Sequence, residues 1–112
     1  MIVDFEPLPI VYHPKYDIPV PKIHSFVGSK FSDLFNNLQK NYSSNLNVLT
    51  PSSANLENLR QSHHIDYINK VEKDELTKDY LRLINLPWSE RLRERSFLET
   101  EGTLLTAKQA LK

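Results

Sequence analysis

The sequence has no cysteine, which excludes disulfides, thiolate metal sites and a cysteine nucleophile. Without thiols the compartment is not fixed, and a reducing cytoplasm is the default expectation. Glycine occurs only twice, at Gly28 and Gly102, so no Gly-rich phosphate loop can be assembled. No nucleophile-elbow pattern is present either. Net charge is missing as well: 14 basic side chains balance 14 acidic ones. Nothing in that balance steers the chain towards nucleic acid or an acidic membrane. It also gives an exposed apolar face little protection against association. Apolar runs are only a few residues long, far short of the roughly 20 a membrane span needs. Met1-Ile2-Val3-Asp4-Phe5-Glu6-Pro7 lacks a basic start followed by an apolar stretch, so no signal peptide is expected. The expectation is a soluble, cytoplasmic chain. Apolar residues make up 39% of its 112 residues, so its core should be thin.

Leu8-Pro9-Ile10-Val11-Tyr12-His13 is a β-branched and aromatic run closed by Pro14, and it reads as a buried strand. Three prolines between Pro14 and Pro21 predict a stiff, extended loop. Ser29 is placed to cap a helix whose apolar stripe is Phe31, Leu34, Phe35 and Leu38. Asn41 to Asn45 is a polar turn, and Asn47-Val48-Leu49-Thr50-Pro51 is a second, weaker strand candidate. Ser53 opens a helical stretch with Leu56 and Leu59 as its apolar positions. Ile65, Tyr67, Ile68 and Val71 mark another short helix. Glu72 to Asp79 is strongly charged and reads as solvated. Tyr80, Leu81, Leu83, Ile84 and Leu86 form an apolar patch that ends at Pro87-Trp88.

The last helix carries the clearest signals. Ser89 caps it, Glu90 complements the dipole in its first turn, and its apolar pattern runs through Leu92, Phe97, Leu104, Ala107 and Leu111. Gly102 inside it costs on the order of 1 kcal/mol against alanine and so marks close packing against another backbone. The sequence reaches Lys112 without a C-cap signal. Strand, helix, strand, helices is the opening order of an α/β layered fold. Two strands alone do not make the doubly covered sheet that such folds use.

Chemistry is sparsely encoded. Of the four histidines, the pair His63-His64 followed by Asp66 invites a metal reading. Neighbouring residues on a helix point about 100° apart, so the two rings do not suit one ion. A helix-end pair, one ring packed and the other in water, is the plainer expectation. His13 closes the first strand and is expected to hydrogen-bond. His24 follows the proline loop, where α/β folds place binding residues. Arg91, Arg93 and Arg95 are spaced by two on a helix and are expected to wrap around its surface. Phe31, Phe35 and Phe97 read as core. No catalytic residue and no metal ligand is assigned from these patterns.

A resemblance adds more. Ile10-Val11-Tyr12-His13-Pro14-Lys15-Tyr16, then Pro19-Val20-Pro21-Lys22-Ile23-His24-Ser25-Phe26 and Lys30-Phe31, resembles the first strand and first long loop of the histone deacetylase superfamily. The bacterial deacetylase-like and class IV branches are the most similar. His63-His64-Ile65-Asp66-Tyr67-Ile68 resembles that family's His-x-x-x-Tyr helix start. Leu86-Pro87-Trp88-Ser89, then Arg95-Ser96-Phe97-Leu98-Glu99-Thr100-Glu101-Gly102-Thr103, resembles the segment before its catalytic core. The similarity covers nearly the whole chain and takes residues 1–112 as the amino-terminal, incomplete part of such a domain.

The resemblance implies a partial three-layer α/β/α arginase/deacetylase-like fold, with the first strands and helices only. Family members hold one zinc ion with two aspartates and a histidine, and activate water against an acetylated amine such as acetyl-lysine or acetylpolyamine. A tandem histidine pair and a tyrosine complete the machinery. None of these has a matching position here; His63-His64 lacks the preceding glycines and sits in another element. His24 and Phe26 match a loop at the mouth of the family's substrate pocket. Leu86 stands where class I members carry a substrate-gripping aspartate. The implied partner is the remaining, carboxy-terminal part of the same domain. Two alternatives stay open: a non-catalytic interaction module derived from that fold, and an unrelated small α/β or mainly helical protein.

Overall fold

The structure, a computed structural model, describes residues 6–112. The reading of residues 1–5 as lacking a leader pattern lies outside the described residues. β1 (Leu8–Val11) and β2 (Leu46–Leu49) run side by side as a parallel pair, with Leu8 opposite Leu46 and Val11 opposite Leu49. The Tyr12 N–H extends the ladder to the Leu49 carbonyl at 3.0 Å. Parallel neighbours need a crossover, and the connection contains α1 (Lys30–Tyr42). Four further helices follow: α2 (Leu56–Arg60), α3 (Ile65–Glu72), α4 (Lys78–Ile84) and α5 (Glu90–Ala110). The architecture is mixed α/β and helix-rich. Among the described residues, no helix is long and apolar enough to cross a membrane.

Local chemistry sets most helix starts. Asn55, His64, Thr77 and Ser89 each accept a backbone N–H two or three residues ahead, which satisfies a donor the helix cannot use. Ser53 does not open α2, because Asn55 supplies the acceptor closer to the apolar positions. At α1 the serine occupies the cap position, but its hydroxyl donates to Asp33 Oδ2 at 2.9 Å. The capping bond comes from Asp17 instead, whose Oδ1 accepts the Ser32 N–H at 3.1 Å. The proline segment is not extended throughout: Pro14–Tyr16 winds into a 3₁₀ turn, since proline suits a first helical position. Asn85 ends α4 with φ of 57°, a left-handed conformation that asparagine tolerates.

Packing centres on α5. Its buried stripe is Leu92, Arg95, Leu98 and Gly102, at spacings of three and four. That differs from the expected stripe: Leu104 is 36% exposed and Leu111 87%. At Gly102 a Cβ would collide with the Tyr16 hydroxyl and lie 3.5 Å from Val11 Cγ1. The glycine therefore lets α5 lie directly on the end of β1. On the neighbouring residue the Tyr12 ring stacks on Phe35 of α1, centroids 4.0 Å apart. Successive residues of an extended strand point to opposite faces, so Val11 meets α5 and Tyr12 meets α1.

The core is thin, as the composition implied. Ile18, Leu59, Ile68, Val71, Leu92 and Leu98 are buried, and none is fully enclosed. β1 was expected to be buried, yet Leu8 is 62% exposed, because among the described residues no third strand or second layer covers that end. The radius of gyration is 16.8 Å, against about 13 Å for a compact chain of this length. The accessible surface of 8460 Å² likewise exceeds the roughly 6,400 Å² of a compact monomer of this mass. Ile23, Leu83 and Leu111 are more than four-fifths exposed.

Replacing Gly102 by alanine should cost about 1–3 kcal/mol, the usual penalty for overpacking a tight contact. Tyr16→Phe removes the colliding hydroxyl, so the double variant should regain part of that loss. Urea midpoints of the two single variants and the double variant check both expectations.

Candidate functional site

Asp17 and Gly28 frame a loop whose neck is closed by the Ile18 N–H bonded to the Gly28 carbonyl at 3.1 Å. Ile18 is buried at that neck. A side chain at residue 28 would strike the Ile18 carbonyl, so glycine is what allows the two strands of the neck to close. Closed ends and internal packing define an Ω-loop. Inside it the His24 N–H bonds to the Pro21 carbonyl at 2.9 Å, and the Phe26 N–H bonds to His24 Nδ1 at 3.0 Å. Both residues that the sequence marked for a pocket mouth, His24 and Phe26, sit half-buried on this loop.

They do different things there. His24 lines an open cleft of about 510 Å³ with Leu81, Arg82, Asn85, Leu86 and Pro87. The loop after β1 and the turn after α4 therefore meet across one depression. Phe26 lies beneath Arg95 of α5, whose guanidinium carbon is 5.4 Å from its ring centroid and 5.2 Å from that of Phe31. Lys30 Nζ is 5.0 Å from the same two rings. A cation over an aromatic face contributes about 0.5–1 kcal/mol when exposed and about 2 kcal/mol when desolvated. Arg95, 9% exposed, falls towards the upper figure and Lys30 towards the lower.

Arg95 is what sequence reasoning missed. Its series was expected to wrap the surface, but only Arg91 is exposed, while Arg93 is half-buried and Arg95 buried. The signal was available: Arg95 occupies the same stripe as Leu92, Leu98 and Gly102. Its Nε is 3.2 Å from Glu99 Oε2, close enough for charge attraction, yet makes no hydrogen bond.

The histidines share one device. His13, His24 and His64 each accept, through Nδ1, the N–H two residues on, at 3.0, 3.0 and 3.1 Å. A neutral ring that accepts at Nδ1 carries its proton on Nε2. In this geometry none of the three has a free lone pair for a metal. Each does have an Nε2–H donor, and that of His24 belongs to a ring at the cleft. His63 rests beside Tyr67, centroids 5.7 Å apart. Of the pair, His64 caps α3 and both rings are exposed. Among the described residues, no group of three or more histidine or carboxylate side chains is placed to hold a metal.

A second cleft, of about 440 Å³, lies at the carboxyl ends of the two strands, between His13, Lys15, Asn55, Arg93 and Glu94. Its charges are mutually engaged: Lys15 is 3.3 Å from Glu94, and Arg93 donates to the Glu72 carbonyl. The Tyr16 phenol, near Arg95, is held above its ordinary value of 10.0 by burial and by the charge of Glu99, against the pull of Arg95. Burial, then Asp17, raises the Tyr12 phenol in the same direction.

No protein-family model matches the chain. An uncharacterized protein of Picosynechococcus sp. is 34% identical to it over 105 residues. The match covers 93% of this chain and 35% of that protein, so the chain spans about a third of the relative's length.

A raised phenol pKa stabilises the fold fully below the unfolded value and is lost as pH rises through the folded one. Stability should therefore fall above about pH 10, and Tyr16→Phe should remove part of that alkaline loss. Comparing urea midpoints at about pH 8 and about pH 11 for both proteins checks it.

Proposed function

We propose that this chain is the amino-terminal part of a histone-deacetylase-like amidohydrolase and supplies one side of its substrate mouth. The observation that carries the reading is the meeting of two loops at one cleft. His24 comes from the loop after β1 and Leu86 from the turn before α5, and the resemblance assigns both segments to the family's pocket entrance. Three further features fit. The parallel strands and their helical crossover agree with the opening of an α/β fold. Helices lie against opposite faces of the Val11–Tyr12 segment. The similar Picosynechococcus protein is about three times as long as the matched segment.

In this reading the chain's own contribution is binding. The Nε2–H of His24 donates to a carbonyl or amide oxygen at the entrance, and Leu86 offers an apolar wall where class I members carry a carboxylate. The described residues do not form the Asp, Asp, His set that the family uses for zinc, so the metal would be held by the rest of the domain. The substrate class is an acetylated amine.

A second reading has its own support. The exposed Ile23, Leu83 and Leu111 are apolar side chains through which a non-catalytic module could dock on a partner. That module would melt cooperatively as a monomer or a defined dimer.

The purified 112-residue chain should show no zinc-dependent release of acetate from an acetyl-lysine peptide; turnover by this chain alone would sink the proposal. Joined to the segment that follows it in its gene, the chain should become active. There His24→Ala should lower kcat/KM about fivefold, the loss of one hydrogen bond of about 1 kcal/mol.

A further inference from the structure

We propose that Arg95 is a positioning residue: it fixes the Ile18–Gly28 loop from helix α5, and so sets where His24 stands at the cleft. Two features of the loop bear on its placement. One is its neck, the Ile18–Gly28 bond with buried Ile18. The other is Phe26, whose ring lies under the guanidinium of Arg95. Phe26 is two residues from His24, and its N–H donates to His24 Nδ1. Whatever holds the Phe26 backbone therefore also selects the tautomer of His24 and orients its ring.

Arg95 suits this role for physical reasons. It is buried on the stripe of α5 that faces the body, and α5 is a single helix from Glu90 to Ala110, locked in place at Gly102. A flat guanidinium can lie against two rings at once, and the centroids of Phe26 and Phe31 are at nearly equal distances. A lysine cannot reproduce that planar contact. Its Nε makes no hydrogen bond, so its position is set by the rings and by the nearby Glu99 carboxylate at 3.2 Å. Lys30, on the loop side and exposed, adds a second cation to the same rings without burial to hold it.

The functional half of the inference rests on the proposed mouth role of His24; the structural half does not, and the test addresses the structural half. Arg95→Lys, Arg95→Met and Phe26→Leu would be compared with the parent chain. Two readouts are amide exchange at Ile18, Phe26, Ile68 and Val71, and the imidazole ¹⁵N shifts of His24. The expected result is at least a tenfold faster exchange at Ile18 and Phe26 in each variant, with Ile68 and Val71 unchanged. The His24 shifts should move from the Nε2–H form to a mixture of tautomers. Phe26→Leu leaves the α5 stripe intact, so it tests the ring's side of the contact even where an Arg95 variant does not fold. The proposal is overturned if Phe26→Leu leaves loop exchange and the His24 tautomer unchanged. Equal acceleration at all four amides in the variants that fold would also overturn it, since that is loss of stability without positioning. Because no turnover is measured, the deacetylase reading and this one can fail separately.

Discussion

Helix α5 can lie on the end of β1 only because residue 102 has no side chain. The Tyr16 hydroxyl fills the space that a Cβ would take, and this one contact aligns the longest helix with the only sheet among the described residues. Much follows from it. The 3₁₀ turn at Pro14–Tyr16 is held down, so the Ω-loop leaves from a fixed point. Arg95, two turns before Gly102 on the same stripe, is brought over Phe26 and Phe31. Tyr16 is desolvated, which is why its phenol resists ionisation.

A chain with so few enclosed side chains depends on such point contacts more than on bulk burial. Aromatic rings do much of the joining: Tyr12 on Phe35, Tyr16 against Phe31, Tyr67 beside Tyr80. Each links an element to one distant in sequence with few groups ordered per contact. The result is an extended body, 60 × 36 × 17 Å, in which the cleft lies on parts that are individually lightly held.

Where a structural choice depended on adjacent residues, the sequence was readable. Ser89 and Glu90 announced α5, the β-branched and aromatic run announced β1, and a lone glycine in a helix announced close packing at Gly102, which proves to be against the side chains of Tyr16 and Val11 and not against another backbone. Choices that depended on distant partners were not readable. The donor that Ser29 was expected to cap at α1 is taken by Asp17, because only the folded loop brings that carboxylate to Ser32. Arg95 looked like surface because a charge is normally solvated; two aromatic faces, Phe26 and Phe31, both far from α5 in sequence, replaced the water. At the site, His24 and Phe26 were marked by resemblance, but their division of labour, one facing the cleft and one anchoring, needed the fold. His13, His24 and His64 each accept a neighbouring N–H, a role that no spacing rule for metal ligands would suggest.

Pro9 sits in the middle of β1. The Tyr12 N–H points to β2, and alternate residues of a strand direct their backbone groups to alternate edges, so Pro9 and Val11 face the edge that is unpaired among the described residues. Proline has no N–H to give. The first donor on that edge is therefore the Val11 amide, and a strand arriving there is tied at the carboxyl end of β1 while the Leu8 end stays loose.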